Sequence, residues 1–188
     1  MNYQRYKSSR DVAWDVLIKY GVSELPVDIL GICKLLGVKV KYKHFDDGND
    51  GTAQIIESQA VILLEPDRPR ERKRFTIAHE LGHILLGHVG KCELVSREPS
   101  GSDSLIEHEA NVFASRLLAP ACVLWGLGLH TPEEIMRVCD ISYTAACIRA
   151  ERMKELYTRN KFLISPRERI VYKQFENYIK YHQHREDC

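Results

Sequence analysis

The sequence predicts a mostly helical α+β domain with a small antiparallel sheet and a helix-turn-helix-like C-terminal region. Three observations carry this. Apolar residues recur mainly at helical spacing, punctuated by capping residues. Residues 38–64 alone show strand-type alternation with turn chemistry. The chain's 188 residues, 44% hydrophobic and 28% charged, suit one compact domain or one with a small appendage.

The elements follow in order. Ser8 and Ser9 are placed to cap a first helix that shows Val12, Ala13, Val16, Leu17 and Tyr20 on one side, with Gly21 as its stop. A second helix is expected from Leu25-Pro26, where proline suits the first turn, through Ile29, Ile32 and Leu36 to Gly37. Val38–Lys43 alternates apolar and charged residues as a half-exposed strand does. Asp46–Gly51 is a turn cluster, and Thr52–Ile56 and Ala60–Leu64 read as a β-hairpin around Glu57-Ser58-Gln59. Asp67 can cap the next helix, whose Phe75, Ile77, Ala78, Leu81, Ile84, Leu85 and Leu86 mark it as buried, and Gly87 ends it. Arg68, Arg70, Arg72, Lys73 and Arg74 crowd its start; interleaved with Glu71, they read as a solvated face rather than a site for an anion.

Val89–Asp103 reads as a long polar loop. A second buried helix is expected from about Ser104 to Leu118, stopped by Pro120. Thr131-Pro132-Glu133-Glu134 is a capping box that opens a short helix to Cys139. Ser142 can cap a longer helix to about Thr158. Ser165-Pro166-Arg167-Glu168 is another capping box, opening a last amphipathic helix with Val171, Phe175, Tyr178 and Ile179 on one side. The expected organisation is therefore a domain over 1–130 and a helical region over 131–188, with the helix-turn-helix-like pair at 131–158 and the final helix at 165–182.

Composition excludes several classes. Lys+Arg 27 against Asp+Glu 26 leaves the chain nearly neutral, which argues against direct nucleic-acid binding. No apolar run approaches a membrane span and Met1–Arg5 leads into no signal-peptide core, so a cytoplasmic protein with no membrane partner is expected. The six cysteines form no C-x-x-C pair and read as free, mostly buried thiols.

One stretch carries chemistry. His79, Glu80 and His83 spell H-E-x-x-H inside the buried helix. Helix positions i and i+4 lie about 40° apart, so both imidazoles can reach one ion, and Glu80 can reach a water there. Two buried imidazoles and a carboxylate need partners, and one ion supplies them all. A catalytic zinc site needs three protein ligands and an open position. Glu107, 24 residues after His83 and early in the second buried helix, is best placed to be the third. Asn111 lies four residues on, on the same face, where it could hydrogen-bond a ligand. Alternatives stay open: Ser104 and Glu107 also fit a capping box, and His108 or Glu109 could be the ligand, although Glu109 points about 200° away from Glu107. The metzincin extension fails at Leu86 and Val89. His88 falls one residue early and reads as a capping or loop residue.

Arg74-Phe75-Thr76-Ile77-Ala78-His79-Glu80-Leu81-Gly82-His83, followed by Glu107-x-x-Ala110-Asn111-x-Phe113-Ala114-x-x-Leu117-Leu118-Ala119-Pro120, resembles the ImmA/IrrE family of zinc metallopeptidases. The likeness spans about Leu25 to Thr158. It implies a zincin-like fold of gluzincin type, one Zn2+ held by His79, His83 and Glu107, and Glu80 as catalytic base. It also implies a substrate: a helix-turn-helix repressor of a prophage, mobile element or stress response, whose cleavage derepresses transcription. The family's second motif usually ends Leu-Leu-Met-Pro; the alanine at 119 touches packing, not ligation. Longer radiation-response members carry a sensory C-terminal domain for which 188 residues leave no room, so the short, element-encoded branch is expected.

The expected chemistry is peptide hydrolysis, with Glu80 taking a proton from the attacking water and giving it to the leaving amine. No motif identifies a second oxyanion donor; His130, Tyr143 and Tyr172 are candidates by residue type alone. Strand Thr52–Ile56 is the place for an extended substrate to add. The rival reading is a non-proteolytic DNA- or repressor-binding regulator with a structural zinc site, or a toxin/antitoxin-associated component. Residues 131–161 hold six basic side chains, Arg149 among them, against five acidic. That balance is poor for phosphates, so the helix pair reads as packing or partner recognition.

Overall fold

The computed structural model describes residues 3–89 and 101–186. Most of the expected loop, Cys92 and the end of the tail lie outside the described residues. The chain clusters into two compact units, Met1–Ala13 with Asp28–Ala114, and Trp14–Val27 with Ser115–Cys188. No helix among the described residues is long and apolar enough to cross a membrane. Cys33, Cys122, Cys139 and Cys147 are free, the first three buried, as expected of thiols used as small apolar groups.

In the first unit, two helix starts differ from expectation. Helix α1 (Tyr3–Lys19) begins before Ser8 and Ser9, so neither caps it, and the buried Ser9 hydroxyl donates back to the Arg5 carbonyl. Helix α2 (Ile29–Leu35) is capped by Asp28, whose side chain accepts from the Gly31 N–H. Pro26 follows a cis peptide bond ahead of that helix rather than sitting in its first turn. The carboxylate satisfies an orphan helix donor, which proline cannot do.

Strands β1 (Lys39–Tyr42), β2 (Gly51–Ile56) and β3 (Gln59–Leu64) form one sheet in the order β1-β3-β2. The β2–β3 hairpin is antiparallel and turns through Glu57 and Ser58, both at positive φ, which matches the strand twist in a two-residue turn. The β1–β3 pair is parallel, so the sheet is mixed rather than wholly antiparallel. Residues 43–50 are long enough to carry the chain past β3, leaving β2 on the far edge. Central β3 buries Val61, Ile62 and Leu64, as a strand covered on both sides should.

Helix α3 (Arg70–Leu85) packs on β2, β3 and α2. Pro69 stands at its N-cap with no side-chain cap bond, so Asp67 does not cap it. The basic cluster at its start is spent locally. Arg68 and Arg72 both reach Asp50, at 2.7 and 2.6 Å, and Lys73 donates to the Pro66 carbonyl. Helix α4 (Gly101–Leu118) begins before Ser104, which removes the capping-box alternative for Glu107.

In the second unit, Pro120 ends α4 and also starts a helix, α5 (Ala121–Gly126), too short to show a 3.6-residue period in the sequence. Helices α6 (Pro132–Cys139) and α7 (Tyr143–Thr158) form the expected pair, opened by the Thr131/Glu134 capping box and by Ser142. Ile135, Cys139, Ala146, Ala150 and Met153 are buried. So is Arg149, at 1% exposure, which removes one of the six cations available to phosphates. The last helix is two, α8 (Pro166–Gln174) and α9 (Glu176–Glu186), divided at the buried Phe175. Glu168 accepts from the Ile164 N–H instead of closing a reciprocal box with Ser165.

Candidate metal centre

The first unit brings the sequence-predicted ligands together. His79 and His83 sit one turn apart on α3, with Nε2 atoms 3.0 Å from each other. Glu107, on α4, places one oxygen 3.1 Å from His79 Nε2 and the other 3.3 Å from His83 Nε2. Two ligand atoms about 2.0 Å from a common tetrahedral ion stand about 3.3 Å apart, so this donor set fits one ion without rearrangement. Gly82 makes the approach possible. A Cβ there would meet Phe113 Cδ1 at 3.0 Å and Ala110 Cα at 3.3 Å, so a larger residue would force α4 to yield where glycine lets it lie close to α3.

The hydrogen-bond pattern points the same way. His79 Nδ1 lies 3.1 Å from Asn111 Oδ1, the partner role expected for Asn111. With that nitrogen donating its N–H, Nε2 is left as a bare lone pair facing the other imidazole and a carboxylate. A cation relieves that arrangement. The closeness of His79 and then His83 holds the Glu107 carboxyl far below the usual carboxylate range, against the opposing effect of burial. Burial lowers the proton affinity of His79, but its contact with Glu107 and the nearby charge of Glu80 more than offset this and raise it.

Glu80 is buried beside His79. Burial raises its pKa on balance, opposed by the neighbouring histidines and by the nearby Ala53 backbone N–H. This closeness of the carboxylate to β2 was not legible in the sequence. Asp50 O accepts from Glu65 N, which by antiparallel alternation turns the backbone groups of Gly51, Ala53 and Ile55 outward. They flank an open groove of about 890 Å³ that Phe75, His79, Glu80 and Glu107 also line. All the residues lining the groove belong to the first unit, whereas His130, Tyr143 and Tyr172 belong to the second.

The other candidates fall elsewhere. His108 is exposed. Glu109 turns away from the ligand cluster and meets His88 and Arg5. His88 is buried and touches His83, a role its spacing did not announce. His44, Glu65 and Asp67 also come within metal-binding reach of one another, but Glu65 already accepts from the Phe45 and Asp67 N–H groups. That second cluster is explained without an ion.

Residues 33–151 match Peptidase_M78, the IrrE N-terminal-like domain. The chain is 35% identical over 97 residues to the radiation response metalloprotease IrrE of Deinococcus deserti, covering 46% of this chain and 34% of that protein. It thus spans about a third of the relative's length. A transcriptional regulator of Mycobacterium tuberculosis shares the fold at TM-score 0.53 and 14% identity, over 77% of this chain and 51% of that one. The match over residues 33–151 covers most of the chain, including both helices of the metal cluster, and on that ground the protein belongs to the Peptidase_M78 family of IrrE N-terminal-like domains.

Proposed function

We propose that this protein is a zinc-dependent endopeptidase that acts in the cytoplasm. The observation that carries the reading is the convergence of His79, His83 and Glu107 on one point, with Glu80 buried beside it and an open strand edge alongside. His79, His83 and Glu107 would hold one Zn2+, and Asn111 would orient His79. When bound, the ion supplies Lewis acidity, activating a water and polarising a peptide carbonyl.

The rest falls to the chain's own groups. The outward backbone of β2 pairs with an extended substrate and holds it along the groove. Glu80 takes the proton from the attacking water and delivers it to the leaving amine. Burial raises its proton affinity, the direction that suits a group that must both accept and return a proton.

The resemblance to ImmA/IrrE proteins supports a helix-turn-helix repressor as substrate, from a prophage, mobile element or stress response. In this reading residues 1–130 cut, and residues 131–188 recognise the partner. The test is cleavage of the repressor encoded beside this gene. Wild type cuts it, and Glu80→Gln, loaded to the same zinc content, cuts it at least 10²-fold more slowly. Equal rates would refute the mechanism.

A further inference from the structure

We propose that His88 and Glu109 position the metal ligand His83, fixing which of its ring nitrogens faces the ion. The inference rests on the zinc reading of His79, His83 and Glu107. His88 Nδ1 lies 3.2 Å from His83 Nδ1, and His88 Nε2 lies 3.0 Å from Glu109 Oε2. The two rings meet edge-on with centroids 5.2 Å apart. Arg5 Nε stands 3.6 Å from the other Glu109 oxygen.

Proton counting makes this chain directional. A neutral imidazole carries one N–H and one lone pair, and an ionised carboxylate only accepts. Glu109 therefore requires the N–H of His88 at Nε2, which leaves His88 Nδ1 as a lone pair. That lone pair is satisfied by an N–H on His83 Nδ1, and His83 Nε2 is then bare on the side of Glu107. The side chains of His88 and Glu109 are only 7% and 14% exposed, so water competes weakly. Helix α4 thus addresses both nitrogens of His83, one directly through Glu107 and the other through Glu109 and His88.

The backbone explains how His88 arrives there. The His88 N–H bonds the His83 carbonyl at 2.8 Å, the Gly87 N–H bonds Ile84 at 3.2 Å, and Gly87 has φ +71°. This is a Schellman cap, which folds the residue after the glycine back over the one five positions earlier. Here the contact it makes is between imidazoles.

The experiment uses the full chain loaded with zinc, and two variants, His88→Phe and Glu109→Gln. Nitrogen-15 NMR of the histidine rings in zinc-loaded wild type reads the tautomers; His83 is expected as Nδ1–H and His88 as Nε2–H. Competition with a chromophoric chelator reads affinity, and His88→Phe is expected to lose about 10–100-fold. Glu109→Gln is expected to lose less, in the same direction, while its zinc-free form unfolds in urea as wild type does. An Nδ1–H tautomer for His88, or wild-type zinc affinity in both variants, would overturn the proposal and leave the zinc site standing. A wild type that binds no zinc overturns the site reading and this inference with it.

Discussion

Single side chains show how much of this molecule rests on where a proton or a charge is held. Glu134 accepts from the Thr131 and His130 N–H groups, and these bonds hold its carboxyl below the usual range. A lowered folded pKa means that the ionised form stabilises the fold. The contribution is fully present above the unfolded glutamate value of about 4.3 and is lost as pH falls through the lower folded value. Because Glu134 is solvent-facing, the effect stays within about 1 kcal/mol. Urea unfolding of wild type and Glu134→Gln should differ by a constant amount at neutral pH and converge below about pH 4; a gap that persists in acid would assign the effect to shape rather than charge. This box was legible because its residues are adjacent, as were His79, Glu80 and His83, whose code spans five positions. Glu107 needed a second helix and a choice among neighbours. His88 was not legible as a partner of His83. Five residues is the wrong spacing on a helix face, and only the left-handed turn at Gly87 makes it the right one.

Elements were read better in their middles than at their ends. The start of α2 shifted because the Asp28 side chain took an orphan donor, α1 begins ahead of both serines, and α5 was hidden by its six-residue length. The parallel β1–β3 pairing depends on where residues 43–50 carry the chain, which alternation cannot encode. The contact of α3 with α4 was also silent in the sequence, although the glycine that permits it sits inside the H-E-x-x-H motif. Replacing Gly82 by alanine pushes a Cβ against Phe113 and Ala110. Overpacking of this kind costs about 1–3 kcal/mol. The expected result for Gly82→Ala is a lower urea midpoint and weaker zinc binding together, since α4 carries Glu107. Lower stability with unchanged zinc affinity would show that α4 yields without moving its ligand.

Across the whole molecule, Arg68, Arg72 and Lys73 around the start of α3 lie against the chain's own groups, and Arg149 is buried in the helix pair. What composition could not convey is where the remaining charge acts. Asp50 lines the groove and is held by two guanidinium groups, at 24% side-chain exposure. Ion pairs of this kind contribute about 0.2–1 kcal/mol and weaken as ionic strength shortens the Debye length. Salt is therefore expected to act on the rim proposed to receive substrate more than on the buried Glu80. Raising ionic strength should raise KM by up to about fivefold with kcat unchanged, and Asp50→Asn should start at the high KM and stop responding. A parallel fall in kcat would move the effect to the chemistry. Between those outcomes, ionic strength becomes a way of loosening the substrate's seat while the catalytic groups stay still.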